Sequence, residues 1–236
     1  MDIQFKTKIF ADGANLSDIA QLAKDPLISG FTTNPTLMRL AGVQDYLSFS
    51  REVIEMIGDR PISLEVFADD TSNMIRQGEL LHKLGSNVYV KIPITNTKGE
   101  STSEVVHALS SQGIQVNVTA IFTLDQVKRV LENLKPDTSF FISVFAGRIA
   151  DAGVNPCPIV KQTVESLSGF PFGEVIWASP REVFNFIEAQ NCGCQIITMT
   201  RELISKLSGI GKDLDLFSLE TVRMFAKDAQ GAGYVL

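Results

Sequence analysis

Eight short apolar runs, each followed by a stretch of helical spacing, constrain this chain more than any other feature. The runs are Lys8 to Asp12, Ile28 to Asn34, Ile62 to Ala68, Val88 to Ile94, Gln115 to Phe122, Phe140 to Ala146, Val175 to Ser179 and Gln195 to Thr200. Each has strand length and is rich in β-branched or aromatic residues. Between them, Leu124 to Leu134 sets Val127, Val130, Leu131 and Leu134 on one helical face. Asp70 to Leu84 opens on an Asp-Thr-Ser cluster suited to capping and closes at Gly85. A last helix is expected at about 215–231.

Strict alternation of strand and helix demands parallel pairing with right-handed crossovers, which leaves an open doubly wound sheet or a closed barrel. Spread over 236 residues, eight units take about 30 residues each, a compact barrel. No Pro-, Gly- or Ser-rich linker divides the chain, and no G-x-G-x-x-G follows the first strand to argue for a dinucleotide-binding sheet. The expectation is an α/β chain forming one domain over 1–236, a (β/α)8 TIM barrel with an extra C-terminal helix.

A net charge of −6 argues against a basic field for nucleic acid or an anionic membrane surface, although it leaves room for a local anion site. No apolar run has the length of a membrane span and the first residues lack a signal-peptide pattern, so a soluble cytoplasmic protein is expected. Cys157, Cys192 and Cys194 lack the spacing and partners of a zinc site, and His82 and His107 sit far from them in polar stretches. No metal is expected.

Parallel barrel strands are buried on both faces, so a polar residue inside one costs free energy. In Val88-Tyr89-Val90-Lys91-Ile92 the aliphatic phase faces the helices, which turns Tyr89 and Lys91 inward. The same phase turns Glu65, Asn117 with Thr119, and Ser143 with Phe145 inward. Glu65, Lys91, Asn117 and Ser143 are each 26 residues apart, so four successive units deliver a polar side chain to matching places. Asp12 and Asn34 close the first two strands, the latter in Phe31-Thr32-Thr33-Asn34-Pro35. Inward polar groups near the carboxyl ends of barrel strands converge on the mouth where barrel enzymes act, although a satisfied internal network is the other reading of any one of them.

Lys91 is the sharpest signal. Lysine is rarely buried in mid-strand, and desolvation there disfavours the ammonium form, freeing an amine to attack a carbonyl. A Schiff base with an aldose or ketose would stabilise a carbanion, with Glu65 and Asp12 moving protons at the two ends of the breaking bond. The alternative is an ion pair with Glu65 that only holds adjacent strands. Arg148 after the sixth strand and Ser179-Pro180-Arg181 after the seventh suggest a phosphate site. Arg181 opens a helix, a poor place for a cation unless an anion joins it.

These residues carry a resemblance. Ala11-Asp12-Gly13-Ala14-Asn15, Thr32-Thr33-Asn34-Pro35, Val90-Lys91-Ile92-Pro93, Asn117-Val118-Thr119-Ala120-Ile121-Phe122, Ser143-Val144-Phe145-Ala146-Gly147-Arg148 and Ala178-Ser179-Pro180-Arg181 resemble, in order and spacing, the transaldolase family in its short single-barrel form. The resemblance implies cofactor-free transfer of a dihydroxyacetone unit from sedoheptulose 7-phosphate, or fructose 6-phosphate, to an aldose phosphate in the pentose phosphate pathway. It implies Lys91 as the Schiff-base residue, Asp12 as the acid/base, and Glu65 with Thr119 as holders of a proton-shuttling water. Thr33, Asn34, Asn117, Ser143 and Phe145 would then meet the sugar, and Arg148, Ser179 and Arg181 its phosphate.

Fructose 6-phosphate aldolase, which releases free dihydroxyacetone, is the rival within the family. Its relatives typically carry Gln on the third strand and Tyr on the sixth where this chain has Glu65 and Phe145, which favours the transferase. Val144, Pro180 and Thr200-Arg201 depart from the usual family pattern and bear on substrate range. A non-catalytic sugar-phosphate-binding barrel is a third reading. The last helix, with Phe217, Leu219, Val222, Met224 and Phe225, suggests by the same resemblance a ring-like homo-oligomer, a pentamer or decamer.

Overall fold

In a computed structural model that describes residues 5–235, the eight runs form eight parallel strands: β1 (Lys8–Asp12), β2 (Ile28–Thr32), β3 (Ile62–Glu65), β4 (Val88–Pro93), β5 (Val116–Ile121), β6 (Phe140–Val144), β7 (Gly173–Trp177) and β8 (Ile196–Thr200). They pair in sequence order, and β8 returns to β1 with Lys8 opposite Ile196 and Asp12 opposite Thr200, so the sheet closes into a barrel. The helices are α1 (Leu16–Leu22), α2 (Pro35–Leu40), α3 (Tyr46–Ile57), α4 (Thr71–His82), α5 (Ser103–Ser111), α6 (Leu124–Leu131), α7 (Ala146–Asp151), α8 (Cys157–Ser166), α9 (Phe184–Asn191), α10 (Arg201–Lys206) and α11 (Leu214–Gly231). This is the (β/α)8 TIM barrel expected from the alternation.

The core has two layers. Outward-facing Leu64, Val88, Val90, Ile92, Val116 and Val118 are sealed completely beneath the helices. Inside the barrel, Phe10, Phe141, Ile176, Ala178 and Ile196 form a separate cluster. Tyr89 stacks on Phe141 with centroids 3.9 Å apart, and Phe10 meets Phe141 edge-on at 5.7 Å. Gly30 makes room for this plug, since a Cβ there would stand 2.5 Å from the Phe10 ring. The aromatic filling packs the barrel interior below its carboxyl mouth.

Several strands stop sooner than their apolar runs. β2 ends at Thr32 because Asn34 caps α2, its side-chain oxygen accepting from Leu37 N at 3.0 Å, with Pro35 at the first helical turn. β6 ends at Val144 because Phe145 and Ala146 open α7. The units after β2 and β6 therefore each carry two helices, where the alternation alone suggests one. β7 lies two residues earlier than its run and leaves through Ser179, whose φ of 61° lies in the left-handed region.

The last helix, α11, is capped by Asp213 and has no buried residue; Leu214, Phe217, Val222 and Phe225 are all more than half exposed. Among the described residues, no helix is long and apolar enough to cross a membrane.

Candidate active site

The carboxyl ends of the strands surround a cavity of about 450 Å³ lined by Asp12, Asn34, Glu65, Lys91, Thr119, Ser143, Phe145, Arg148 and Ser179, together with Thr32, Ala120 and Thr198. Nine of the twelve residues singled out from the sequence therefore share one space.

Lys91 stands in its floor, 6% exposed. Its Nζ donates to the Thr33 carbonyl oxygen at 2.9 Å and lies 3.1 Å from Glu65 Oε2. The Glu65 ion pair exists, but it forms part of the cavity wall and is not sealed in the core. β3 and β4 set this pair directly, because Glu65 and Lys91 are neighbours in register. The Tyr46 hydroxyl donates to the Glu65 main-chain oxygen at 2.9 Å and pins the end of β3; burial, and then the Glu65 charge, pushes its phenol up.

Asp12 faces Lys91 from β1. Burial pushes its carboxyl above the ordinary value of 3.8, against the opposing pull of the Lys91 charge and of the Thr32 hydroxyl, while the nearby Glu65 adds to the rise. Thr32 Oγ1 donates to Asp12 Oδ1 at 2.8 Å and also meets Thr198 Oγ1. These two threonines are not among the site residues expected from the sequence, although both interrupt apolar strands; Thr198 stands alone among Ile196, Ile197 and Met199.

β5 carries an irregularity at the cavity. Val118 pairs with Ile142 and Ile121 with Val144, so Thr119 and Ala120 together oppose a single residue, Ser143. Ala120 absorbs the extra residue at φ 58°. The bulge turns both Thr119 and Ala120 to the cavity while returning Ile121 to the outer layer. Thr119 Oγ1 is buried with no hydrogen-bond partner.

Three expected contacts are placed differently. Thr33 is 1% exposed and offers Lys91 its main-chain oxygen, while its side chain does not line the cavity. It follows inward-facing Thr32, so its side chain falls in the opposite phase. Asn117 lies beneath the floor, accepting from Ser143 Oγ at 2.7 Å and donating to Ser63 Oγ at 2.8 Å. This buried relay spans the barrel and fixes the Ser143 hydroxyl. Arg181 also lies behind the lining. Its fork holds Asp151, with Nε 3.0 and 3.1 Å from the two carboxylate oxygens, and its Nη1 is 3.1 Å from Ser179 Oγ. Arg148 does line the cavity, with its guanidinium 5.7 Å from the centroid of the Phe145 ring.

A larger groove of about 560 Å³ lies between α8 and α9 and contains Cys157 and Cys192. Burial pushes both thiols up, Cys192 to about 12, so neither is a thiolate nucleophile near neutral pH. The groove's polar lining, including Lys161, Glu165 and Glu188, lies on the outer helices, whereas the barrel mouth brings a buried lysine together with Glu65 and Asp12.

Residues 9–234 match the family model described as transaldolase/fructose-6-phosphate aldolase. A "probable transaldolase" of Methanococcus maripaludis is 34% identical over 201 residues, 85% of this chain and 89% of that protein. A "probable transaldolase 2" of Listeria monocytogenes is 32% identical over 222 residues, 89% of this chain and 97% of that protein. Among solved structures, KGPDC from Streptococcus mutans aligns with a TM-score of 0.56 at 12% identity, over 83% of this chain and 88% of that one. A 2,3-dimethylmalate lyase aligns with a TM-score of 0.54 at 13% identity, over 98% and 85%. At such low identity these two share the fold alone.

Proposed function

The chain belongs to the transaldolase/fructose-6-phosphate aldolase family, and we propose that it moves a dihydroxyacetone unit from sedoheptulose 7-phosphate or fructose 6-phosphate to an aldose phosphate through a Schiff base on Lys91. The observation that carries this reading is a buried lysine amine in the cavity floor, flanked by Glu65 at 3.1 Å and facing an Asp12 carboxyl whose affinity for protons is raised by burial.

The Lys91 amine adds to the ketose carbonyl, and loss of water leaves an iminium. Glu65, with the unpartnered Thr119 hydroxyl, is placed to hold the water that carries protons in this step. Asp12 then takes the proton of the hydroxyl beyond the breaking carbon–carbon bond. The electron pair of that bond passes into the iminium, giving an enamine on Lys91 and a free aldose. An incoming aldehyde accepts the pair, its oxygen takes the proton back from Asp12, and water releases the new ketose. A carboxyl of raised proton affinity suits a group that must hold one proton between two half-reactions. Ser143 and Asn34 line the same wall and would bind the sugar hydroxyls, with Arg148 and Ser179 at the phosphate end.

Release of free dihydroxyacetone would require protonation of the enamine. Phe145, which brings no hydroxyl to the cavity, favours waiting for an aldehyde. Borohydride reduction in the presence of fructose 6-phosphate should fix a three-carbon adduct on Lys91, found by peptide mass mapping. An unlabelled Lys91 would overturn the reading, and free dihydroxyacetone formed as fast as transfer to an added aldose phosphate would make the protein an aldolase.

We further infer that α11 packs on a neighbouring copy in a ring-like homo-oligomer, since an 18-residue helix with no buried residue leaves its apolar side chains without cover. A monomeric mass by light scattering would refute this.

A further inference from the structure

Asp151 ends α7, three residues after Arg148, and does not line the cavity. Its carboxylate nevertheless occupies the Nε edge of Arg181, with Nε 3.0 and 3.1 Å from its two oxygens and Nη2 also in contact. That edge is the one best shaped to take two oxygens of a phosphate. Only Nη1 remains, pointing at Ser179 Oγ, which does line the cavity. The arrangement is fixed by the main chain. Ser179 stands at φ 61°, and its carbonyl presses so closely on Gly147 that a Cβ there would be 1.6 Å away. Arg181 N donates to Asn185 Oδ1 at 2.7 Å, which holds the start of the loop into α9.

Stability does not account for this pair. Both side chains are about half exposed, 47% for Arg181 and 53% for Asp151, and such pairs add little to folding. What the pair does is cancel the charge of an arginine standing beside a proposed anion site. The Arg181 hydrogen bonds in turn hold the Asp151 carboxyl below its ordinary range.

We propose that Asp151 is a built-in competitor for the phosphate of the substrate. A phosphorylated sugar is gripped by Arg148 and Ser179 and gains the fork of Arg181 only by displacing Asp151. The exchange weakens phosphate binding and narrows the preference for phosphorylated over unphosphorylated sugars. This rests on reading Arg148, Ser179 and Arg181 as the anion end of the site.

Titration of inorganic phosphate into the full chain, followed by calorimetry, tests the competition without requiring turnover. Asp151→Asn keeps the shape of the side chain and removes its charge. It should tighten phosphate binding by about fivefold, the upper range for a surface ion pair. The gain should vanish when Arg181→Ala is added. In turnover, the ratio of the KM for glyceraldehyde to that for glyceraldehyde 3-phosphate should rise by a similar factor. Unchanged or weaker phosphate binding in Asp151→Asn, no phosphate binding by either form, or a gain that survives Arg181→Ala would each overturn the inference. Borohydride trapping reports separately, because a missing Lys91 adduct sinks the proposed reaction whatever the phosphate titration shows.

Discussion

An aspartate belongs to each end of the proposed site, Asp12 in the cavity at its reacting end and Asp151 behind the lining at its anion end, and the two are built in opposite ways. Asp12 stands at the carboxyl end of β1, among Lys91, Thr32 and Thr198, and burial raises its affinity for protons. Asp151 stands at the end of a short helix, half exposed, and its Arg181 partner lowers that affinity. A group that must carry a proton is most effective where water cannot compete for it, and closed parallel strands supply that dryness with little freedom to move. A group that meets a charged substrate end works by exchange, which requires solvent access and connections able to release and re-form a pair.

Substitution at the reacting end gives the largest expected effect. Asp12→Asn should lower kcat by about 10²- to 10⁴-fold, the usual loss on removing a general acid/base. The same change has a stability signature. Because the folded carboxyl binds its proton more tightly than the unfolded one, its stabilising contribution is complete below the ordinary 3.8 and is lost as pH rises through the raised folded value. Asp12→Asn should therefore gain on the parent protein in urea midpoint as pH climbs through that window, with no gain below it. Asp151 has the opposite sign, since its contribution is present above its unfolded value and fades as pH falls through the lowered folded one. A parent and an Asp12→Asn protein that run parallel across this range would remove the contrast between the two ends.

How much of this was legible beforehand follows the same division. The reacting end sits on strands, where a period of two fixes which side chain faces inward, so Glu65, Lys91 and Ser143 could be read from their phase at a constant spacing. The misplacements arise where the strand period has ended or where it gives phase but not depth. Thr33 lies beyond the end of β2, and Asn117 is in phase but one layer too deep. At the anion end the link between Asp151 and Arg181 joins positions 30 residues apart on separate connections, and no local pattern announces it. The short extra helices directly after β2 and β6 escaped for a related reason. α2 and α7 have six residues each, less than two helical turns, too short for a periodic signal.

Between the arginines the expected effects are unequal. Arg148 lines the cavity with its guanidinium near the Phe145 ring, whereas Arg181 is behind it and already paired with Asp151. Arg148→Ala should raise the KM for a phosphorylated acceptor by about 10- to 100-fold, the loss of hydrogen bonds to a charged group. Arg181→Ala should raise it by only a few-fold. Equal losses measured on the same acceptor would mean that Asp151 does not mask Arg181, and would make the two sides of the anion end alike.

The smallest effect concerns the backbone, where the two ends are alike. Each spends one non-glycine residue in the left-handed region, Ala120 at the reacting end and Ser179 at the anion end. Ser179 has a polar reason to be there, since its hydroxyl meets Arg181. Ala120 contributes only a methyl group to the cavity wall, so the strain of the bulge at that position is relieved by glycine without loss of a hydrogen bond. Relief of about 1–3 kcal/mol of strain is offset by the about 0.5–1 kcal/mol entropic cost of glycine. Ala120→Gly should thus raise the Tm by about 2–4 °C, the shift that about 1 kcal/mol produces in a protein of this size. Its effect on kcat reads out the reacting end directly. If the bulge serves to hold Thr119 toward Lys91, the more flexible glycine should lower kcat as Tm rises, whereas a rise in both would mean that β5 needs only the extra residue and not its stiffness.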